Sequence, residues 1–332
     1  MTTQLFRIAA IAAAAAYFPG TALAAASADA HGERAYLFSY FSNKGYGGRS
    51  GESAGLHLAY SYDGLKWSAL NDDKPILVPE VGKDKLMRDP SICRGPDGTF
   101  HMVWTSSWHD RIIGYASSRD LVHWSEQRAI PVMADEPQAR NCWAPEVTYS
   151  PEDGLFYIYW ASTIPGRHSP IPGMDKNEDG LNHRIYLTTT RDFAEFSKTR
   201  LWFDPGFSVI DTAIIRDEKN GDWIMVLKNE NHTPVEKNIR IVRTKRLADG
   251  FPKDVSPSVS PSWVEGPSPL FVGDMLYVYM DFYRAHRYGA IRSADRGRTW
   301  EIVPGGELSF PKGIRHGTAF AVDRSIVDAL RK

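Results

Sequence analysis

Four acidic residues stand where apolar segments of the chain begin. Asp89, Glu146, Asp211 and Glu265 each open such a segment, and His316 opens a fifth. Carboxylates crowded into one site are costly unless they are paired, protonated or bound to something. Glycosidic bond cleavage needs one carboxyl as acid, with a raised pKa, and another that stays ionised as base or nucleophile. We predict that the five openings surround one such pocket, the alternative being that each residue only caps a turn.

A short motif repeats along the chain, once in each predicted structural unit. It reads hydroxyl, any residue, Asp, turn and aromatic, and each copy follows an alternating apolar segment, as a half-buried strand demands. The hydroxyl and Asp can satisfy amide groups of the turn while the aromatic anchors the next strand, so we predict structural turns. Four copies are clear and one is degenerate: 61–67, 118–124, 190–196, 293–300 and, degenerate, 244–251.

Two strands joined by a glycine turn precede four of these copies, which together make four-stranded units every 50 to 70 residues. This pattern is typical of a β-propeller. The paired segments are 89–93 with 100–105, 146–149 with 156–160, 211–215 with 223–227, and 269–272 with 276–280. We predict an all-β, five-bladed β-propeller, closed by pairing the C-terminal strand 317–322 with the N-terminal strand 36–41.

This fold would bring distant residues together. The first strand of each blade lines the central channel, so the residues that open those strands should converge on one face. Second strands return to the same face and should place Trp108, Thr163, Glu230 and Tyr283 at the pocket rim. The long loop 164–182, rich in Pro, Gly and Asp, is predicted to be a lid or a wall of the site.

Charge and composition exclude some partners. With 39 basic and 40 acidic residues the net charge is -1, and no basic run exists. Nucleic acid and anionic membranes are therefore poor candidates for partners. Separately, we expect the protein to be a monomer. The aromatic content of 12%, with ten Trp, suits stacking on sugars but equally suits a β core.

The N-terminus reads as a secretory signal. Arg7 precedes an apolar run, 8–18, which is shorter than the ~20 residues that span a bilayer. Ala22-Leu23-Ala24 fits the cleavage rule. We predict a signal peptide at 1–24, a flexible segment at 25–34, one catalytic domain at 35–332, and a periplasmic or secreted protein. Export permits a disulfide, but pairing of Cys93 with Cys142 stays open, and we favour free, buried cysteines.

Four motifs resemble glycoside hydrolase family 43, in that family's order: Asp89-Pro-Ser-Ile92, Trp143-Ala-Pro-Glu-Val147, Ile210-Asp211 and Glu265-Gly-Pro267. The resemblance covers residues 36–322. It implies an inverting enzyme without a required cofactor, in which Asp89 is the general base, Glu265 the general acid, and Asp211 tunes and orients the acid. The base and acid should then lie ~6.5–9.5 Å apart.

The same resemblance implies substrate contacts and a closing motif, Arg315-His316-Gly317-Thr318. Trp108, Trp143 and Glu146 would contact the sugar. Arg315 would hold a sugar hydroxyl or Asp89, and His316 would face a central water or a structural calcium ion. The expected product is a terminal pentose or furanose sugar, of arabinofuranosidase, xylosidase or galactofuranosidase type. The sugar itself, and exo against endo cleavage, stay open.

Several alternatives remain. The segment 87–90 also resembles the Arg-Asp-Pro motif of fructan-cleaving enzymes, but their Asn-Asp-Pro and Glu-Cys motifs do not occur here, so Asp89 is kept as the base. The turn at 293–300 resembles that of sialidases, although five repeats and the need for three arginines argue against one. A non-catalytic sugar-binding propeller and an anhydrogalactosidase-like enzyme complete the alternatives.

Overall fold

A computed structural model describes residues 34–42, 55–173 and 180–332. The predicted signal peptide lies outside the described residues, as does the predicted flexible segment except for Arg34, so both stay predictions. Residues 174–179 of the predicted lid also lie outside them. None of the helices in the described ranges combines the length and hydropathy that a membrane span requires.

The described residues form short antiparallel strands and, after the last strand, one α-helix, α1 (Arg324–Leu330). Three single-turn 3-10 segments lie between strands, at Asn71–Asp73, Leu247–Asp249 and Tyr283–Ala285. In chain order the strands are β1 (Arg34–Ser42), β2 (His57–Ser61), β3 (Ser68–Ala69), β4 (Arg88–Arg94), β5 (Phe100–Thr105), β6 (Ile113–Ser118), β7 (Arg128–Ile130), β8 (Trp143–Ser150), β9 (Leu155–Ser162), β10 (Arg184–Thr190), β11 (Arg200–Phe203), β12 (Val209–Asp217), β13 (Asp222–Asn229), β14 (Asn238–Thr244), β15 (Glu265–Val272), β16 (Met275–Phe282), β17 (Arg287–Ser293), β18 (Glu301–Ile302) and β19 (Ile314–Asp323).

Five sheets confirm the predicted five-bladed propeller. Their strand orders are β19-β1-β2-β3, β4-β5-β6-β7, β8-β9-β10-β11, β12-β13-β14 and β15-β16-β17-β18. We number the blades 1 to 5 in that order. Blade 4 has three strands among the described residues because the degenerate repeat at 244–251 leads into a 3-10 turn instead of an outer strand.

The ring is closed by strand pairing and by packing between blades. β19 pairs with β1 from Arg34 opposite Asp323 to Ser42 opposite Ile314, which confirms the predicted closure. The inner strands β19, β4, β8, β12 and β15 contact one another in a closed circle. Five clusters of buried apolar side chains lie between neighbouring blades, one for each interface. Burial of this apolar surface is the main stabilising contribution to the circle.

The repeated turns have the predicted structural role. In blade 1 the Ser61 hydroxyl accepts a hydrogen bond from the Gly64 amide at 2.9 Å, and Asp63 accepts from two further amides at 2.8 Å. The Trp67 indole then donates to the Gly64 carbonyl at 3.1 Å. The copy at 118–124 repeats these contacts. Both cysteines are free; Cys142 is buried and Cys93 only partly so.

Gly317 allows β19 to lie against β1. A Cβ atom at this position would come within 1.7 Å of the Ser39 carbonyl oxygen, a backbone atom that cannot move without breaking the closing pair. We predict that Gly317→Ala lowers the free energy of unfolding by about 3 kcal/mol, at the upper end of overpacking costs. Denaturant unfolding followed by tryptophan fluorescence measures this. Gly305→Ala is the control, since no atom lies within 4 Å of the added carbon; equal stability of the two variants would contradict the proposed closure.

Candidate active site

One cavity is lined by residues at the ends of the inner strands. It contains the predicted carboxylates Asp89, Asp211 and Glu265, which lie in blades 2, 4 and 5. It is lined by acids, bases, aromatics and apolar groups in one small space: Arg88, Asp89, Thr105, Trp108, Trp143, Ala144, Leu181, His183, Ile210, Asp211, Lys228, Glu230, Glu265 and His316. The predicted convergence of residues far apart in sequence therefore occurs.

A β-bulge aims the side chains into this cavity. In β4 the pairing passes from Arg88–Thr105 to Ser91–Val103, so two residues of β4 stand opposite one residue of β5. The same arrangement recurs in the inner strands of the next three blades, at 144–145, 211–212 and 266–267. A bulge bends its strand and re-aims one side chain. The pocket is thus built by one local distortion repeated around the ring.

The first residue of each of these bulges has a left-handed backbone. The φ angles are 53° at Asp89, 46° at Ala144, 52° at Asp211 and 59° at Gly266. Such a conformation costs a non-glycine residue about 1–3 kcal/mol, and Asp tolerates it better than most. Gly266 has a second reason to be glycine, because an added Cβ would lie 2.5 Å from Cγ of His316. Proline occupies the second bulge position at 90, 145 and 267, where the ladder needs no N–H group.

Asp89 is held as a carboxylate. Its Oδ2 accepts a hydrogen bond from the Thr105 hydroxyl at 2.8 Å, and its Oδ1 lies 3.3 Å from Nδ1 of His316. Burial alone would raise the pKa of Asp89, but the charge and hydrogen bond of His316, with Arg88 and Thr105, outweigh it and lower the pKa to about 2. An ionised carboxylate is the form that a general base requires.

Asp211 is held differently. Its Oδ2 accepts a hydrogen bond from the Gly266 amide at 3.0 Å, which ties it to the residue after Glu265. Its Oδ1 lies 3.9 Å from His316 Nδ1. Burial raises the pKa of Asp211, and the negative charges of Glu265 and Asp89 act in the same direction against His316 and Lys228. Asp211 is therefore the carboxyl of this group that binds a proton more readily.

Glu265 is clamped between two cations. Its Oε2 lies 3.2 Å from the Lys228 ammonium, and its Oε1 accepts a hydrogen bond from Arg315 at 2.7 Å. Burial would raise the pKa of Glu265, but Lys228 first and Arg315 second overcome this and lower it. From the sequence a raised pKa is expected on the acid; in the ligand-free protein the pKa of Glu265 is lowered instead, while that of Asp211 is raised.

His316 lies between Asp89 and Asp211 as a cation. Burial lowers its pKa, but the two carboxylates outweigh burial and raise it to about 9, so the imidazole is protonated at neutral pH. A metal ligand must be a neutral imidazole. Among the described residues no group of three or more His, Cys, Asp or Glu side chains is arranged to hold a metal ion. The donor set around His316 thus fits a proton better than the calcium ion considered from the sequence.

Arg315 and Glu146 lie away from the predicted contacts. Arg315 was expected to hold a sugar hydroxyl or Asp89, but its guanidinium binds Glu265 and Asp281 instead and does not line the cavity. Glu146 stands directly after its bulge at 144–145 and accepts hydrogen bonds from Ser91 at 2.5 Å and Thr318 at 2.9 Å. Burial raises its pKa to about 7. It ties blades 1, 2 and 3 together outside the cavity lining, and Ala144 holds the bulge position beside the cavity.

The rim is partly as predicted. Trp108 and Glu230 line the cavity, whereas Thr163 and Tyr283 do not. The Trp143 indole donates to the Trp108 carbonyl at 2.8 Å, and the two rings meet edge to face at 5.9 Å. Trp108 keeps 39% of its surface exposed, as a sugar-stacking residue would.

Sequence reasoning missed four polar residues that line the cavity: Arg88, Thr105, His183 and Lys228. Arg88 stacks on Trp108, with its guanidinium carbon 4.7 Å from the ring centre. Lys228 pairs across the sheet with Ile210, directly beside the bulge of β12. A charged residue interrupting the apolar strand 223–229 was the available signal for Lys228.

Comparisons with known proteins identify the family of this chain. A family model described as "Probable glycosyl hydrolase domain" matches residues 32–328. An α-L-arabinofuranosidase of Bifidobacterium longum subsp. longum is 22% identical over an alignment 222 residues long, which covers 59% of this chain and 20% of that protein. The chain thus spans only a fifth of that relative's length.

Solved structures share the fold. A thermostable family-43 glycoside hydrolase superposes with a TM-score of 0.54 at 18% identity, covering 71% of this chain and 82% of that one. The family 43 protein BlXynB from Bacillus licheniformis gives 0.52 at 20% identity, covering 72% of this chain and 43% of that one.

The charge on His316 can be measured directly. We predict that its imidazole titrates with a midpoint near pH 9, because Asp211 and Asp89 stabilise the protonated form. The contribution of this proton to stability should be complete below pH 6.5 and lost as the pH rises through 9. NMR of histidine-labelled protein measures the titration, and His316→Gln identifies the signal. A midpoint at or below 6.5 would contradict the predicted electrostatics.

Proposed function

The chain belongs to a glycosyl hydrolase family related to glycoside hydrolase family 43, and from this membership we propose that it is an inverting glycosidase that releases a terminal pentose or furanose sugar. One observation carries the proposal. Asp89, Asp211 and Glu265 come from three blades, lie in one cavity, and have pKa values that different neighbours shift in opposite directions. Environments that push the pKa values of neighbouring carboxyls apart are what acid and base catalysis requires.

In this proposal Asp89 activates the attacking water. The residue is ionised, and Thr105 and His316 fix the directions of its two oxygens. The water gives one proton to Asp89 while its oxygen attacks the anomeric carbon, and the bond to the leaving oxygen breaks on the opposite face. His316 offsets the negative charge of Asp89 before the reaction, and its own proton stays on the imidazole.

Glu265 protonates the leaving oxygen, for which it must first acquire a proton. Asp211, whose pKa is raised by burial, is tied to the residue after Glu265 through the Gly266 amide. A sugar hydroxyl that engages Lys228 on the leaving side would weaken the contact of that cation with Glu265 Oε2. The pKa of Glu265 would then rise, and the acid would take up its proton when substrate is present.

The sugar class rests on similarity. The relative in Bifidobacterium longum subsp. longum is named an α-L-arabinofuranosidase, which supports a furanose or pentose at the cleaved bond. Arabinofuranosyl, xylosyl and galactosyl glycosides are the candidate substrates. A single small cavity among the inner strands of the ring supports exo cleavage of a terminal sugar. Export to the periplasm or medium belongs to the same proposal and is supported by the N-terminal signal pattern.

Two alternatives have less support. A sialidase grips a carboxylate with three arginines, whereas Arg88 alone of the arginines in the described ranges lines this cavity. A non-catalytic sugar-binding propeller would have no use for neighbouring carboxyls whose pKa values are shifted in opposite directions. Turnover of a panel of nitrophenyl arabinofuranosides, xylosides and galactosides, with a sialoside included, distinguishes all of these.

Removing the acid should stop turnover but not binding. We predict that Glu265→Gln lowers kcat/KM about 10³-fold on substrates with a sugar leaving group. The loss should be smaller on 4-nitrophenyl glycosides, because nitrophenolate departs with little help from a proton. Initial rates and calorimetric sugar binding measure the two effects. Glu301→Gln, the same change on the exposed outer strand β18, is the matched control; wild-type turnover by Glu265→Gln would remove this residue from its role.

Removing a clamping cation should shift the pH profile. In Lys228→Met the pKa of Glu265 rises, so the acid stays protonated to higher pH. The alkaline limb of kcat/KM should therefore move to higher pH. Lys237→Met is the control, because Lys237 pairs with Glu230 and has no ion pair with Glu265. An alkaline limb that stays in place, or moves down, in Lys228→Met would refute the clamp.

A further inference from the structure

His183 is a buried histidine whose ring has no hydrogen-bond partner. Its exposed fraction is 2%, and it lines the cavity. Within the part of the chain that the structure describes, neither Nδ1 nor Nε2 has a hydrogen-bond partner. Leaving a buried polar group unpaired is costly, because its desolvation is not compensated, so such groups are rare in native proteins. An imidazole in this state beside a cavity indicates a partner that arrives with the substrate.

The backbone around His183 is fixed. Its amide donates to the Ser208 hydroxyl at 3.0 Å, and its carbonyl accepts from the Val209 amide at 3.2 Å and from Arg184 at 2.8 Å. The imidazole ring packs against Trp143 at a centroid distance of 5.3 Å, tilted by 36°. The ring is therefore positioned before any ligand binds, which reduces the entropy cost of forming a hydrogen bond.

The chemistry of the ring selects its ligand. Burial lowers the pKa of His183 to about 4, so the imidazole is neutral under ordinary conditions. A neutral imidazole carries one N–H donor and one nitrogen acceptor. A sugar hydroxyl both accepts and donates hydrogen bonds, and a neutral ring takes it without the desolvation cost of a charge.

We propose that His183 binds a hydroxyl of the substrate sugar and thereby determines which sugars the cavity accepts. The inference rests on the proposed glycosidase function and adds to it a specificity-determining residue of blade 3, next to the aromatic wall of Trp143. The hydroxyl pairs with the ring nitrogens that have no partner in the free protein. Sugars that lack this hydroxyl, or orient it elsewhere, leave the imidazole unpaired and bind less well.

Deoxy substrates test the contact. The wild type and His183→Leu are assayed on the best glycoside of the panel and on its monodeoxy analogues. The wild type should lose about 10- to 100-fold in kcat/KM on one analogue, the range expected for one buried hydrogen bond. His183→Leu should show a similar loss on the parent glycoside and no further loss on that analogue. His183→Gln, which keeps a donor and an acceptor, should recover part of the discrimination.

His101→Leu is the matched control. His101 is another neutral histidine, with its pKa lowered by burial to about 4, but its ring bonds to the Tyr115 hydroxyl in blade 2 at 2.9 Å, away from the cavity lining. This variant should discriminate against the deoxy analogue as the wild type does. A merely structural role of His183 would lower stability or overall activity but leave the discrimination intact.

The outcomes separate the two proposals. If the wild type cleaves glycosides and His183→Leu keeps full discrimination against every monodeoxy analogue, the inference about His183 is overturned and the glycosidase stands. If the wild type cleaves none, the function proposal fails, and calorimetry with free arabinose, xylose and galactose then decides on His183. Weaker sugar binding by His183→Leu would support the contact; equal affinity, or no binding by the wild type, would overturn it.

Discussion

The pairing of β19 with β1 is the interaction on which both the fold and the site depend. It closes the ring, and it also delivers the two cations that make the acidic cluster tolerable. His316 lies between Asp89 and Asp211, and Arg315 binds Glu265. Without this strand, Lys228 and Arg88 would be the main positive charges left to balance three buried carboxylates. Burying these negative charges with so few cations would be costly in a low-dielectric site. The strand that closes the ring is thus also the strand that places His316 and Arg315 among the carboxylates.

Within the closed ring, one local device does the positioning. Four inner strands bulge at their cavity ends. The type of residue at the first bulge position decides which functional group the strand presents there. Asp occupies that position in blades 2 and 4. Glycine occupies it in blade 5, which moves the carboxylate one residue earlier, to Glu265, and lets His316 pack closely. The strained backbone at the aspartates is the kind of cost that functional sites retain.

The sequence was sufficient for the architecture and for the three carboxylates, because strand alternation, glycine turns and the repeated Ser/Thr-x-Asp motif are local signals. It was not sufficient for Glu146, which looks equivalent to Asp89 in sequence but stands directly after its bulge instead of at the first bulge position. Pro90, Pro145 and Pro267 each stand at the second position of a bulge. Matching these three prolines to one another would have aligned the blades correctly. The roles of Lys228, Arg315 and His183 depend on contacts between blades, and the lowered pKa of Glu265 follows from those contacts rather than from any local pattern.

The central claim is that Asp89 directs water onto the anomeric carbon in a single displacement while Glu265 protonates the leaving oxygen. The configuration of the first sugar released reports on this most directly. Proton NMR, recorded during hydrolysis by a high enzyme concentration and before mutarotation, should show the anomer opposite to that of the substrate first. First appearance of the anomer with the substrate's own configuration would mean a covalent intermediate on the enzyme, and it would contradict the assignment of Asp89 as a general base.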